Sequence, residues 1–293
     1  MRYVAALLMG LLLTIGPANA APLASRLFGA VVSPSDQQPA PIGSYSRGCG
    51  AGMVELPESG PTWQAMRLSR NRNWGQPSLV SYLEELSQKA TTVGWRGLYI
   101  GDLSQPRGGP SASGHLSHQI GLDADVWYLP PPRLNLSIAA REKISANSVR
   151  TEDQKHVNGN WTEAHHQLLK MAASDPRVDR IFVAAAIKIE MCRTATAADK
   201  SWLQKIRPIY GHNDHFHVRL KCPRGASSCQ TQTPTVGDLS NGGNGCDDTL
   251  MWWVTTYLEE LKHPKPNQKK VRTPRDYTMA DLPKACVGVL GAP

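Results

Sequence analysis

The chain has 293 residues, of which 41% are hydrophobic and 19% are charged. This composition supports a folded core and excludes a disordered or fibrous protein. The sequence has no second long apolar run, so a membrane protein with several spans is not expected. The formal net charge of +8 suits an anionic partner, but no dense basic patch with interleaved aromatic residues is present. Nucleic-acid binding is therefore excluded as the leading interpretation.

The first twenty residues have the pattern of a secretory signal peptide. Arg2 precedes an apolar run over residues 4–15, and the segment ends with Ala18-Asn19-Ala20. Because this ending has a small residue at its first and third positions, we expect cleavage after Ala20. The apolar run of about twelve residues is too short to span a bilayer as a helix. The alternative interpretation is a retained membrane anchor.

The remaining segment, residues 21–293, has no fixed-period repeat and no long low-complexity linker, so we expect a single domain. The 25 glycines and 22 prolines predict a loop-rich structure. Leu79, Leu83, Leu86 and Ala90 have helical spacing and follow Pro77-Ser78. Further helices are predicted over residues 162–173 and from Asp247 or Asp248 to just before Pro264, the last with Leu250, Trp253, Val254, Tyr257 and Leu261 facing inward.

Short runs with β-strand character lie between these helices. They cover residues 97–101, 122–129, 179–189 and 215–220. Residues 179–189 are apolar on both faces, which predicts a central strand. Because strands and helices intermix irregularly, we expect an α+β fold. Lys262 to Arg275 contains several cations and prolines, a pattern typical of a solvated loop, and no function is assigned to it.

Six cysteines follow the predicted cleavage site: Cys49, Cys192, Cys222, Cys229, Cys246 and Cys286. An even number in an exported chain predicts three disulfides, and Cys222 and Cys229 enclose a short polar loop that favours their pairing. Metal ligation by these two is the alternative, but no second close cysteine pair accompanies them.

The candidate catalytic and metal-binding residues concentrate in two segments, 108–127 and 211–219. Five of the nine histidines lie there, namely His115, His118, His212, His215 and His217. Imidazole and carboxylate together suit zinc, and a glycine-containing stretch allows His118 and Asp125 to reach one point. His215 and His217 face the same side of a strand, since they are two residues apart. Asp123 would share a face with Asp125 and stays an alternative ligand.

The other four histidines, His156, His165, His166 and His263, lack such a context and are predicted to lie at the surface. Arg107 and Arg219 are candidates for binding substrate carboxylates, with structural ion pairing as an equal alternative. No role is assigned to Asp214.

Residues 102–104, 108–111, 113–125 and 211–219 resemble the penicillin-insensitive murein endopeptidases. That family belongs to the zinc metallopeptidases that share a fold with lysostaphin-type peptidases, D-alanyl-D-alanine dipeptidases and the hedgehog signalling domain. The resemblance implies a central, mainly antiparallel sheet flanked by helices and stabilised by disulfides.

When the family motif is matched to this sequence residue by residue, the resemblance implies that His118, Asp125 and His217 are the zinc ligands. It therefore favours Asp125 over Asp123. It assigns proton transfer and oxyanion stabilisation to His215 and, less directly, to His212 and His115. It also implies the pairs Cys49 with Cys286, Cys192 with Cys246, and Cys222 with Cys229.

The implied activity is hydrolysis, in the periplasm, of the D-alanyl to meso-diaminopimelyl cross-link of peptidoglycan by zinc-activated water. No His-Glu-x-x-His motif is present, so an imidazole or a distant residue must act as the base. No Ser-x-x-Lys motif with Lys-Thr-Gly is evident, which agrees with chemistry that β-lactams do not block.

Two other classes of function remain compatible with the residues. Two histidines and one carboxylate also form the iron site of non-haem oxygenases. A periplasmic metal-binding or wall-binding protein without catalysis is the second alternative.

Overall fold

A computed structural model describes residues 21–264 and 271–293 of the chain, so the predicted signal peptide lies outside the described residues. The helices are α1 (Ala24–Gly29), α2 (Pro77–Ala90), α3 (Ile138–Lys143), α4 (Glu163–Ser174), α5 (Ala185–Cys192), α6 (Lys200–Leu203), α7 (Thr256–Lys262) and α8 (Ala285–Gly291). The strands are β1 (Ala40–Ser44), β2 (Arg47–Ala51), β3 (Val54–Glu55), β4 (Trp63–Ala65), β5 (Trp74–Gly75), β6 (Leu98–Ile100), β7 (Asp123–Trp127), β8 (Val178–Val183), β9 (Ile206–Pro208) and β10 (His215–Leu220).

Six strands form the main sheet in the order β4-β6-β7-β10-β8-β9. The inner pairs β6–β7, β7–β10 and β10–β8 are antiparallel, whereas the outer pairs β4–β6 and β8–β9 are parallel. Helices α2 and α4 pack with this sheet in the largest apolar core. The predicted α+β fold with a mainly antiparallel sheet flanked by helices is therefore confirmed.

Strands β7 and β10 have two chemically different faces. Ala124 and Val126 lie opposite Val218 and Phe216, and all four side chains are fully buried in the core. The alternate positions carry Asp123, Asp125 and Trp127 opposite Arg219, His217 and His215. Because successive side chains of a strand point to opposite faces, the apolar set anchors the pair and the polar set lies together on the other face.

The first two predicted helices are confirmed as α2 and α4. Leu79, Leu83 and Leu86 are buried along α2, as their spacing predicts. Thr162 caps α4 in a reciprocal arrangement with His165, whose Nδ1 accepts a hydrogen bond from the Thr162 backbone N–H at 3.1 Å.

The prediction of one strand over residues 179–189 is wrong in its second half. β8 ends at Val183, and Ala185–Cys192 form helix α5. β8 lies between β10 and β9, which agrees with the predicted central position. Short apolar runs do not distinguish a buried strand from a buried helix, and Ala185, Ala186 and Ile187 fit both.

The third predicted helix begins as expected but is divided into two elements. Asp248–Val254 form a 3-10 helix, and α7 starts after a break at Thr255. Leu250, Val254 and Leu258 are buried, whereas Leu261 is 43% exposed and does not face inward as predicted. The break rotates the face that the second segment presents to the core.

His165 does not lie at the surface as predicted. It is buried, its Nε2 bonds the Tyr128 carbonyl at 2.8 Å, and its ring contacts Trp95 and Trp161. His156 and His263 are exposed and His166 is half-buried. The burial of His165 depends on these tertiary contacts, which its sequence neighbours do not reveal.

A second apolar cluster joins the two ends of the described chain. Phe28 of α1, Ile42 and Cys49 of the β1–β2 hairpin, and Val289 of α8 are buried together. The structure contains three disulfides, and they join the pairs implied by the resemblance, Cys49–Cys286, Cys192–Cys246 and Cys222–Cys229. None of the described helices has the length and apolar character needed to cross a membrane.

Of the three disulfides, the Cys49–Cys286 bond is expected to contribute the largest share of the stabilisation. It closes a loop with a sequence separation of 237, against 7 for Cys222–Cys229. Chain entropy then predicts a loss of about 5 kcal/mol for Cys49→Ala with Cys286→Ala and about 2 kcal/mol for Cys222→Ala with Cys229→Ala. Urea unfolding of both double variants measures this, and equal losses would contradict the loop-length argument.

Candidate metal and catalytic site

The polar face of β7 and β10 brings two distant segments of sequence together. Asp125 and His217 are direct cross-strand partners, and His217 Nδ1 lies 3.3 Å from Asp125 Oδ1. His118 comes from the loop before β7, and its Nε2 lies 3.2 Å from His217 Nδ1 and 3.4 Å from Asp125 Oδ1. The three atoms His118 Nε2, Asp125 Oδ1 and His217 Nδ1, each able to bind a metal ion, thus form a nearly equilateral triangle. All three side chains are buried.

His118 has a backbone conformation that is uncommon for a residue with a side chain. Its φ is 65°, in the left-handed region. Its backbone N–H donates to Asp123 Oδ2 at 3.0 Å, and its carbonyl accepts a hydrogen bond from the Ser104 hydroxyl. Its Nδ1 donates to the Leu103 carbonyl at 2.6 Å, which leaves Nε2 facing Asp125. These contacts fix both the ring orientation and the tautomer.

Asp123 lies behind the triangle and contacts both of its histidines. It is fully buried, pairs with Arg219 Nε at 2.7 Å, and lies 3.1 Å from His217 Nε2 at an angle outside hydrogen-bond geometry. Burial alone would raise the pKa of Asp123, but the charges of Arg219 and His217 hold it well below its usual range. Asp123 therefore serves as a buried anion that holds the His118 backbone and lies beside the His217 ring, while Asp125 supplies one corner of the triangle.

Asp102 and His115 form a second polar pair beside the triangle. His115 Nε2 lies 3.0 Å from Asp102 Oδ2 and 3.5 Å from Asp125 Oδ2. Asp102 also accepts from Arg70 and Arg72 at 3.1 and 3.0 Å. Burial opposes ionisation of Asp102, but the contacts with His115 and Arg70 lower its pKa to about 2. His115 is thus oriented by a carboxylate that is ionised at neutral pH.

His215 is held by its sequence neighbour. Its Nδ1 lies 2.7 Å from Asp214 Oδ1, and its Nε2 lies 3.7 Å from Asp125 Oδ1. Burial lowers the pKa of His215, but Asp125 and Asp214 outweigh it and raise the pKa to about 9. With Nδ1–H donated to Asp214, the Nε2 atom faces the site.

His212 lies further from the triangle. Its ring centre is 5.0 Å from that of His215 and 5.9 Å from that of His217, and its Nδ1 donates to the Tyr210 carbonyl at 3.1 Å. Burial and the two neighbouring imidazoles lower the pKa of His212 to about 4. At neutral pH it is therefore an uncharged ring with Nε2 available as an acceptor.

One buried atom of the triangle lacks a hydrogen-bond partner. Asp125 Oδ1 is inaccessible to solvent and accepts no hydrogen bond from any described residue. A buried carboxylate oxygen in that condition is costly unless a cation binds it. A second grouping, His115, His118 and Asp125, also places one donor atom of each residue within 4.8 Å of the others. The two possible ligand sets share His118 and Asp125.

Two clefts open on either side of this cluster. One, of about 550 Å³, is lined by Phe182, Tyr210, His212 and His217. The other, of about 240 Å³, is lined by Arg70, Asp102, Asp125 and Trp127. His115 and His215 line both, so the histidines lie where two channels meet. A separate cleft of about 480 Å³, beside residues 39–41 and 223–228, contains none of these side chains.

The two arginines considered as carboxylate receptors have structural roles instead. Arg107 is buried and donates to the carbonyls of Ser33, Leu290 and Ala292. Arg219 is occupied by Asp123 and lies 4.1 Å from the centre of the Tyr45 ring. Arg107 therefore ties the last residues of the chain to the fold, and Arg219 balances a buried carboxylate.

Sequence reasoning assigned no role to Asp102 or Asp214, although both position histidines. Asp102 lies in a segment that carries the family resemblance, which is a usable signal. Asp214 adjoins His215, but only the structure indicates that its side chain turns toward the ring.

Comparison with known proteins gives concordant matches. A family model described as penicillin-insensitive murein endopeptidase matches residues 41–291. A protein of that name from Haemophilus influenzae is 38% identical over 278 residues, which cover 94% of this chain and 90% of the relative. Proteins of the same name from Klebsiella pneumoniae and Escherichia coli K12 are 36% and 35% identical over 274 residues, which cover 93% of this chain and 94% of each relative.

The Asp123–Arg219 pair is expected to be a major source of stability. Asp123→Asn leaves a buried guanidinium without its counter-ion and should cost about 3 kcal/mol. Because the folded pKa of Asp123 lies below that of an unfolded aspartate, this difference should be complete above about pH 4 and shrink as the pH falls. Urea unfolding in the presence of a chelator measures it, with the exposed Asp153→Asn as control. A difference that does not change with pH would exclude the buried charge as its source.

Proposed function

The chain belongs to the penicillin-insensitive murein endopeptidase family, and on that basis we propose that it is a zinc-dependent hydrolase of peptidoglycan cross-links. The bond proposed is the amide between D-alanine and meso-diaminopimelate of neighbouring stem peptides. The observation that carries the proposal is the buried triangle of His118 Nε2, Asp125 Oδ1 and His217 Nδ1 at the junction of two clefts.

The residues of the triangle fit a zinc ion. Tetrahedral zinc with bonds of about 2.0 to 2.1 Å separates its ligand atoms by roughly 3.3 to 3.4 Å, and the three distances here are 3.2, 3.3 and 3.4 Å. The unpartnered Asp125 Oδ1 supplies the negative charge that such a site needs. When bound, zinc supplies Lewis-acid activation of water and of the scissile carbonyl.

His118, Asp125 and His217 are favoured over the grouping that contains His115. The side chain of His115 is 23% exposed, and its Nε2 is shared with Asp102. His217 is directly paired with Asp125 and offers a nitrogen that faces both other donors. His115 is better suited to the rim, where Asp102 would hold its ring beside the substrate carbonyl on which negative charge develops.

His215 is proposed as the proton-transfer residue. Asp214 holds its Nδ1–H, so Nε2 is directed to the junction of the clefts. A cation held by the triangle would offset the charge of Asp125, which raises the pKa of His215, and would favour the neutral ring. The neutral ring's Nε2 can take a proton from the attacking water and deliver it to the leaving amine, a contribution typically worth roughly 10²–10⁴ in rate. His212, neutral at pH 7, can accept an N–H of the substrate beside it. The acid–base group is thus an imidazole rather than a glutamate.

The two clefts suit a branched substrate. A cross-link joins two stem peptides, and each of the two clefts can hold one of them with the scissile amide at the junction.

We also propose a signal peptide over residues 1–20, cleaved after Ala20, a single catalytic domain over residues 21–293, and location in the periplasm. Three disulfides support an oxidising compartment.

Metal dependence is testable with purified cross-linked muropeptides. The protein is expected to convert the dimeric muropeptide to monomers, to lose this activity in a chelator, and to regain it with zinc. Mass spectrometry of the products measures cleavage, and metal analysis of protein purified without added metal distinguishes zinc from iron. Cleavage that persists after complete metal removal would contradict the proposal.

Ligand and proton-transfer roles are separable by substitution. Asp125→Ala and His217→Ala should lose both bound zinc and cleavage, because each removes a donor atom. His215→Ala should retain zinc and lose about 10²-fold or more in kcat, since only proton transfer is removed. Zinc content and steady-state kinetics on the same samples measure this. The exposed His156→Ala serves as control, and loss of zinc from His215→Ala would reverse the assignment.

A further inference from the structure

Four aromatic side chains form a continuous cluster at one end of the larger cleft. Tyr257 lies at the centre, with ring-centre distances of 6.2 Å to Tyr210, 5.0 Å to Trp252 and 5.1 Å to Trp253. Trp252 and Trp253 are 5.2 Å apart. We call these four residues the aromatic surface.

The aromatic surface is held from behind by the core. Leu250, Val254 and Leu258 of the same segment are buried, and the Cys192–Cys246 disulfide ties the start of the segment to α5. Trp252 is nevertheless 40% exposed and Tyr210 is 52% exposed. Large apolar rings that a rigid support holds in solvent are typical of a binding surface rather than of a core.

Tyr210 connects the aromatic surface to the proposed active site. Its side chain lines the cleft of about 550 Å³ that also contains His215 and His217. Its carbonyl accepts the hydrogen bond from His212. Tyr210 therefore belongs both to the wall of this cleft and to the aromatic surface.

The charges around the aromatic surface select the kind of partner. Residues 247–262 contain Asp247, Asp248, Glu259, Glu260 and Lys262. Two cations come from another part of the chain: Arg150 lines a small cleft with Tyr210, Trp253 and Tyr257, and Lys155 lies near Glu259. These charges are mixed, so the aromatic surface lacks the cluster of cations that binds an anionic lipid headgroup, although the chain as a whole has a net charge of +8. A neutral sugar is not repelled, and the C–H face of a pyranose ring can pack on an exposed aromatic ring through dispersion and apolar burial.

We propose that the aromatic surface binds the N-acetylated amino-sugar strand of murein, next to the cleft in which the cross-link is cleaved. This inference rests on the proposed function, because it assigns a second part of the same polymer to the same protein. It adds a glycan-binding site to the peptide site, and makes Trp252 a determinant of substrate preference.

Sugar binding is testable without catalysis. Wild-type protein should bind tetra-N-acetylchitotetraose, a neutral oligomer that contains no peptide, in isothermal titration calorimetry. Trp252→Ala should weaken this binding roughly five- to tenfold, the equivalent of about 1 to 1.4 kcal/mol, and Trp252→Phe should restore most of it. Val287→Ala, which removes an exposed apolar side chain from α8, is the matched control and should bind as the wild type does.

Cleavage assays separate the sugar site from the catalytic site. Trp252→Ala should cleave the cross-linked peptide dimer without sugars as fast as the wild type, but should lose about five- to tenfold in kcat/KM on cross-linked murein that carries its glycan strands. Equal losses on both substrates would indicate a structural role and overturn the proposal. Thermal unfolding of the variant confirms that its fold is retained.

The remaining outcomes are also decisive. If the wild-type protein does not bind tetra-N-acetylchitotetraose at millimolar concentration, the glycan-site proposal is overturned, even if peptide cross-links are cleaved. Self-association that Trp252→Ala abolishes, without sugar binding, would reassign the surface to contact between copies. Sugar binding without any cleavage would support the glycan site while the proposed hydrolase function fails.

Discussion

The antiparallel register of β7 and β10 is the constraint on which the site depends. It places His217 opposite Asp125 and Arg219 opposite Asp123, although about ninety residues separate the strands in sequence. Ala124, Val126, Phe216 and Val218 fix this register by burying the opposite face. A slip of one residue would turn the carboxylates into the apolar core, so the hydrophobic pattern that stabilises the sheet also selects the arrangement of the polar side chains.

Charge balance explains why so many ionisable groups can be buried here. Asp123 is compensated by Arg219, and Asp102 by Arg70, Arg72 and His115. Asp125 is the exception, since its only basic partners among the described residues are imidazoles and its Oδ1 has no hydrogen-bond partner among them. The carboxylates of Asp123 and Asp102 are thus compensated, whereas the Asp125 carboxylate, beside four imidazoles, has an unsatisfied oxygen. A cation-binding site requires such an arrangement.

The sequence predicted the strand-borne part of the site better than the loop-borne part. Alternation along a strand is sufficient to place His215 and His217 on one face, and the spacing of His118 and Asp125 carries the family resemblance. The positions of Asp102 and Asp214 depend on where their side chains turn, which no periodicity encodes. The pattern over residues 179–189 predicts strand where helix α5 begins, because a short apolar run fits both structures and only its neighbours in the fold decide between them.

Hydrogen bonds fix the position of His118 in its loop, whereas strand pairing fixes the positions of Asp125 and His217. A left-handed φ of 65° is unfavourable for histidine, so the loop needs restraint from outside itself. The Asp123 carboxylate accepts a hydrogen bond from the His118 backbone N–H, and the Ser104 hydroxyl donates one to the His118 carbonyl. The Leu103 carbonyl accepts a hydrogen bond from the His118 ring. Asp123 belongs to β7, and its carboxylate also binds Arg219 of β10. The same buried aspartate therefore links the loop histidine to the strand pair, so that the three donor atoms are fixed relative to one another by one connected set of contacts.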